Sequence, residues 1–277
     1  MIKSLLVPLD SSAHAGAALE HAIELGKVYQ ARLTGLHVLD IRYLEMPPYL
    51  DYSYTFEAVP PPVVPDLTEK FRAKSRRILA DFQSIVQRAG LEAEVRAEEG
   101  VPGQVIADMA DSHDLVIMGK RGEHAKWGRD LLGSTAEAVA RRSASPILLA
   151  NEEWHPLKKA VVLFDGSHPA NRALKLAADV ATKAGMEIRV VTVDDDAEKG
   201  NATIAEARSY LAAFELKTSF SVSAGRVVKT APSLLAEGPA DVAILGMRGH
   251  SPLRNLILGR TAEQLMRSIE LPVLLVP

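Results

Sequence analysis

Two stretches of this chain carry the same glycine spacing at the same place in a strand, loop and helix pattern, and that repetition limits the fold more than any other feature. The first, Met118 to Thr135, reads MGKRGEHAKWGRDLLGST and follows the apolar run Leu115-Val116-Ile117-Met118. The second, Leu245 to Thr261, reads LGMRGHSPLRNLILGRT and follows Val242-Ala243-Ile244-Leu245. Gly119 and Gly122 recur as Gly246 and Gly249 at one constant offset, while Gly133 and Pro146 recur as Gly259 and Pro272 at an offset one residue shorter. A pattern repeated in a repeated context marks tandem modules. Each copy reads as a buried strand, a loop whose glycines let the backbone turn and come close to a ligand, and a helix N-terminus. With hydroxyls at the helix start, as at Ser134 and Thr135, this is a phosphate site in outline. Lys120, Arg121, Lys126 and Arg129 lie in the same loop as cationic charge for a polyphosphate. An ordinary surface loop with a capped helix behind it would read the same way in a single copy.

The rest of the chain keeps the rhythm. Ser4 to Leu9 is an apolar run ending in Pro8-Leu9-Asp10-Ser11-Ser12, a strand that stops at a turn with a helix N-cap beyond it. Ala18, Ala22, Leu25 and Val28 then recur at helical spacing, and Ala31 to Leu39 is the next strand. A long amphipathic helix runs on Leu67, Phe71, Ile78, Phe82, Ile85 and Val86, an alternating strand spans Leu91 to Ala97, and a short helix Gln104 to Ala110 leads into the strand before the glycine loop. Pro146 to Leu149 closes the first module and the polar stretch 151–158 links it to the second. That module opens on Ala160 to Phe164 with Asp165-Gly166-Ser167 and repeats the order to Pro272-Val276. The expected fold class is α/β: two tandem open doubly wound modules at 1–150 and 159–277, each a five-stranded parallel sheet with helices on both faces. Asp10 sits at the carboxyl end of the first strand, where open sheets of this kind bind ligands, and reads equally as a plain N-cap.

One segment, 40–66, breaks the rhythm. It holds Tyr43, Tyr49, Tyr52, Tyr54 and Phe56 with six prolines, at 47, 48, 60, 61, 62 and 65. So many prolines argue against a regular helix or central strand there. Its aromatic content suits a lid or a subunit contact, with an inert surface insertion as the alternative. Hydrophobic content of 47% with 5% aromatic describes an aliphatic core. A net charge of −3 gives no global attraction to nucleic acid or anionic membrane. The absence of cysteine excludes thiolate catalysis, disulfides and Cys-ligated metals. No apolar stretch approaches the ~18 residues of a membrane span, and the N-terminal apolar run is too short for a signal peptide, so a soluble cytoplasmic protein is expected.

The pattern of Gly, two residues, Gly, nine or ten residues, then Gly-Ser/Thr after a buried strand resembles the nucleotide loop of the universal stress protein family, and the resemblance covers nearly the whole chain as two modules. It implies ATP as ligand, with Mg²⁺ held mainly by the phosphates. Pro8 and Asp10 match residues that contact adenosine and Val38 one whose backbone meets the adenine edge; Met118, Gly119, Gly122, Gly133, Ser134 and Thr135 match the phosphate loop. In the second half Asp165, Val193, Leu245, Gly246, Gly249, Gly259 and Thr261 match in turn, but Arg260 stands where the family has Ser or Thr, and Leu163 replaces Pro8. That half is therefore expected to hold the degenerate site. The resemblance further implies that the last strands of the two halves pair as an intramolecular pseudo-dimer; a homodimer of chains is also expected, with the Tyr/Pro-rich insertion as its surface.

Rival chemistries find no signature. There is no G-x-x-x-x-G-K-[ST], no G-x-G-x-x-G after the first strand of either half, no G-x-S-x-G elbow and no close metal-ligand spacing among the eight histidines. His124 and His250 lie in the two loops and read as phosphate donors or as solvated loop residues. Three readings remain: a nucleotide-binding regulator that acts by conformational or partner switching, a slow ATPase or nucleotidyl-transfer enzyme using the same pocket, and an interaction scaffold without nucleotide. With no positioned general base in the motif, the first is favoured and no catalytic residue is assigned.

Overall fold

The computed structural model describes residues 2–42, 63–123 (63–67 by backbone alone), 132–236, 238, 240–247 and 258–277. The first half runs β1 (Ser4–Pro8), α1 (Ala13–Tyr29), β2 (Arg32–Asp40), α2 (Val63–Arg88), β3 (Ala93–Gly100), α3 (Pro102–Ala110), β4 (Leu115–Gly119), α4 (Ser134–Arg142) and β5 (Ile147–Ala150). The second runs β6 (Lys159–Leu163), α5 (His168–Ala184), β7 (Glu187–Val193), α6 (Ala197–Leu211), β8 (Thr218–Ser223), α7 (Val227–Ala236), β9 (Val242–Gly246), α8 (Arg260–Ser268) and β10 (Val273–Val276).

Within each half the five strands are parallel, in the orders β3-β2-β1-β4-β5 and β10-β9-β6-β7-β8. The central strands are apolar on both sides because both faces are covered. One core cluster joins the sheet to α1, α2, α5 and α6, the other to α3, α4, α7 and α8. The outer strand β3, AEVRAEEG, is half-buried to exposed along its length, and its charges guard a sheet edge against further pairing.

The two sheets are continuous. β5 pairs antiparallel with β10, Leu149 opposite Val273, Leu148 opposite Leu274 and Ile147 opposite Leu275, giving one ten-stranded sheet. Across the same junction α4 and α8 carry Glu137 and Arg141 against Glu263 and Arg267. Each arginine bonds a glutamate of the other helix, Arg141 to Glu263 at 2.7 Å and Arg267 to Glu137. On the opposite face Tyr29 of α1 donates to Asp179 of α5 at 2.8 Å.

Two boundaries differ from expectation. Residues 63–66, counted with the proline-rich segment, already belong to α2, because Pro65 falls in the first helical turn, where an N–H would have no intrahelical acceptor. The helix expected from Gln104 starts at Pro102 for the same reason. The linker is partly built in: Leu157 is buried and its amide donates to Glu24 Oε1 at 3.1 Å. The tyrosines of the insertion lie outside the described residues. Among the described residues no helix is long and apolar enough to cross a membrane.

Candidate functional site

The carboxyl ends of β1 and β4, the start of α1 and the start of α4 meet at one place. β1 stops at Pro8, opposite Leu36, and the chain turns into α1 through Asp10 and Ser12. Ser12 caps α1 by accepting the Ala15 amide at 3.1 Å, while Asp10 Oδ1 accepts the Ser12 amide at 2.9 Å and its hydroxyl at 2.5 Å. The second oxygen of Asp10 turns to the glycine loop and accepts the Glu123 amide at 3.1 Å. Asp10 is thus not the N-cap itself. It orients the cap with one oxygen and holds the loop with the other.

The glycines matter here because neighbouring groups leave little or no room for a side chain. A Cβ on Gly122 would stand 2.8 Å from Asp10 Oδ2, and one on Gly119 would stand 2.8 Å from the Cβ of His14. At Gly133 it would meet Arg121 Cα at 3.2 Å and the Lys120 carbonyl at 3.3 Å. The Gly133 amide donates to that carbonyl at 2.8 Å, which brings Gly133 beside Gly122. Gly133 is the N-cap of α4, in extended conformation and with no side chain to cap it, and the first-turn amides of such a helix start are donors suited to an anion. Ser134 is exposed and Thr135 half-buried at that helix start. Met118 is buried in β4, and Val38, half-buried, lies on β2 beyond the end of β1.

Lys120 departs from expectation. It is 2% exposed and points away from the loop, donating to the carbonyls of Ile269 and, at 3.3 Å, Leu271 in the second half. Burial lowers its pKa to about 8, opposed by the nearby Glu270 carboxylate. It therefore joins the halves instead of reaching into the glycine loop, where its charge is felt only at a distance, by His14; Met247, buried, takes its place in the second half. Lys126, Arg129, His124, Gly249 and His250 lie outside the described residues.

Two histidines at the site were not singled out in the sequence. His14 is packed against Gly119, and its pKa is lowered first by burial, with Glu152 and Asp10 opposing and Arg121 and Lys120 assisting. His37, next to Val38, is 9% exposed with Nδ1 buried and unbonded. Burial lowers its pKa too, and Lys74 assists against Glu123 and Asp10. Both imidazoles are held toward neutrality. The signal for His14 was Gly119 itself, since glycine at a strand end often marks close approach of another segment. His37 carried none beyond its place beside Val38.

The second half repeats the frame with different contents. Asp165 Oδ1 accepts the Ser167 amide at 3.0 Å and Ser167 caps α5. Gly246 lies against the start of α5, where a Cβ would stand 2.8 Å from the Ala170 nitrogen and from Pro169. Gly259 is the N-cap of α8 and donates to Met247 O at 2.7 Å. Leu245 is buried, Val193 half-buried, and Arg260 and Thr261 are exposed at the helix start. Among the described residues no group of three or more His, Asp or Glu could hold a metal.

Fold and site together define an α/β protein of two like modules, each with a glycine loop between its fourth strand and the following helix. The model of the universal stress protein family matches residues 1–151 and again 156–277, and the chain belongs to that family. It is 28% identical over 206 residues to the universal stress protein Slr1230 of Synechocystis, covering 73% of this chain and 71% of that one. To a universal stress protein of Mycolicibacterium smegmatis it is 24% identical, covering 98% and 96%. Among solved structures, a universal stress protein from Archaeoglobus fulgidus superposes with a TM-score of 0.77 at 23% identity, covering 99% and 97%. Another from Pseudomonas aeruginosa gives 0.69 at 17%, covering 99% and 93%. At these identities the structural likeness concerns the fold.

Proposed function

We propose that this chain is a regulatory protein that binds ATP in its N-terminal half and acts by changing conformation or partner. The observation that carries the reading is the convergence of Asp10, Gly119, Gly122 and Gly133 on the N-terminus of α4, where a Cβ would collide at Gly119 and Gly122 and be tight at Gly133. Pro8, Asp10 and Val38 hold the adenosine side. Met118, Gly119, Gly122, Gly133, Ser134 and Thr135 hold the phosphates, whose negative charge the amides and the helix dipole favour. Mg²⁺ rides on the phosphates and needs no dedicated protein cage. Domain limits of 1–150 and 159–277, a pseudo-dimer of the two halves, a homodimer of chains and a cytoplasmic location belong to the same proposal; the β5 to β10 ladder supports the pseudo-dimer.

The halves are unequal in this reading. Asp165, Gly246 and Gly259 keep the frame of the second site, but Arg260 at the start of α8 fills or overreaches the place of a small hydroxyl, so that site stays empty or takes a different anion. Calorimetric titration of the full chain with ATP tests both points. One equivalent, lost on Gly133→Val, is expected; two equal sites, or one site abolished only by changes at Gly246 and Gly259, would overturn the assignment. Mass spectrometry of what a heat-denatured, freshly purified sample releases separates the regulator, which yields ATP, from a hydrolase, which yields ADP or AMP, and from a scaffold, which yields nothing.

A further inference from the structure

The starting ends of β6, β7 and β8 frame a half-open cleft of about 230 Å³ whose lining includes Lys159, Glu187, Arg189, Lys217, Thr218 and Ser219 beside the apolar Ala160 and Ile188. It lies on the sheet rim away from the second glycine loop, which leaves the finishing end of β9. We propose that this cleft is a binding site for a small phosphate-bearing anion, distinct from either glycine loop.

The internal repeat supplies the comparison. Thr34 stands in β2, opposite Leu6, where Arg189 stands in β7, opposite Val161. In the first half that place is closed: Thr34 is 2% exposed, and His113 bonds its hydroxyl through Nε2 at 3.0 Å and the Met109 carbonyl through Nδ1 at 2.9 Å. In the second half a guanidinium takes the place of the small hydroxyl and a cleft stands beside it. Arg189 is only partly satisfied. One terminal nitrogen donates to the Leu234 carbonyl, while Nε is buried with no partner. Gly238 lies beside the other terminal nitrogen, where a Cβ would collide with it. Arg189 forms part of the cleft wall, and a guanidinium whose hydrogen bonds are incompletely met is one that a neighbouring anion stabilises.

Charge and size set the class of ligand. Three cations, Lys159, Arg189 and Lys217, line the cleft against one carboxylate, Glu187, which leaves two net positive charges. Glu187 is already held by Lys217 at 2.5 Å, which lowers its pKa. Asp241, on the neighbouring strand start, accepts the amides of Lys158 and Lys159. Lys159 also acts on Glu187 through space but forms no ion pair with it within 4 Å, and Ser219, paired with Arg189 in the sheet, adds a hydroxyl. Guanidinium, ammonium and hydroxyl donors around a net charge of that size match a phosphate dianion. The volume is below the roughly 300 Å³ at which sites for drug-sized ligands begin, which suits inorganic phosphate or a small phosphomonoester.

Calorimetry of the full chain with sodium phosphate, in a chloride buffer near neutral pH, tests this. A saturable site is expected, weakened about tenfold or more in Arg189→Met, as loss of a charge-assisted hydrogen bond requires. Lys159→Gln, at a strand start and outside the core, is expected to weaken it severalfold and decides the matter if Arg189→Met fails to fold. Both variants keep the heat of ATP binding. No saturable phosphate binding, binding that survives both changes, or binding lost in Gly133→Val and kept in Arg189→Met would overturn the proposal, the last by placing the phosphate in the glycine loop. Succinate binding more tightly than phosphate would overturn the ligand class.

Discussion

Replacing Lys120 by methionine, the residue the second half carries at the same place, should flatten part of the dependence of stability on pH. Burial lowers the pKa of Lys120 in the folded chain from 10.5 to about 8. In the unfolded chain the group keeps its ordinary value. Between the two values the unfolded state binds more protons, so stability rises with pH across this window, and the full gain is present above the unfolded value. The cost of holding the ammonium buried is complete below the folded value. A shift of about 2.5 units corresponds to roughly 3 kcal/mol, of which about 2 kcal/mol is recovered by about pH 9.5. The neutral amine still has N–H groups for the carbonyls of Ile269 and Leu271, so deprotonation relieves the charge without orphaning those acceptors. Urea denaturation of wild type and Lys120→Met at intervals from pH 7 to 9.5 reads the effect as a difference, which cancels other titrating groups. The wild type should gain about 2 kcal/mol on the variant over that range. A difference that stays flat, or one that falls, would refute both the buried placement of Lys120 and the sign of its coupling.

Two further outcomes follow from packing and charge. A Cβ at Gly35 would stand 2.6 Å from the ring of Phe82, which is 1% exposed, so Gly35→Ala should destabilise the first half by about 1–3 kcal/mol, measured by thermal or urea unfolding, unless Phe82 is also made smaller. Arg267 bridges α8 to Glu137 of α4 in a half-exposed cluster, so Arg267→Met should cost no more than about 1 kcal/mol at low salt, and the loss should shrink in concentrated sodium chloride; a salt-independent loss would mean that packing, not charge, holds the junction.

The modules were legible because their signals are local. Glycines at fixed spacing after apolar runs, Ser12 and Ser167 before helices, and the helical spacing of Phe82, Ile85 and Val86 depend on neighbours within a turn or two. What escaped depends on distant segments. Lys120 reads as a loop cation beside Arg121, and only the join with the second half turns it inward toward Ile269 and Leu271. Asp10 reads as a cap, and its second role becomes visible only when the loop brings Glu123 to its other oxygen. The count of prolines hid the start of α2, because Pro65 breaks a helix interior but not its first turn. Arg189 lies in an ordinary strand pattern, and nothing near it in the chain marks the cleft.

The antiparallel seam between β5 and β10 has a topological consequence. Because the second sheet runs opposite to the first, β6 begins on the same rim at which β5 ends, with only β10 and β9 between them. Three strand spacings amount to about 14 Å. Residues 151–158, eight in all, can span about 26 Å when extended. The tether is thus long enough with slack and never has to cross a sheet face. Two separate copies joined edge to edge in this way could be fused head to tail by a few residues without disturbing either core. Fusion of that kind changes the encounter from bimolecular to intramolecular, at an effective concentration in the millimolar range, and frees each copy to diverge while the seam holds.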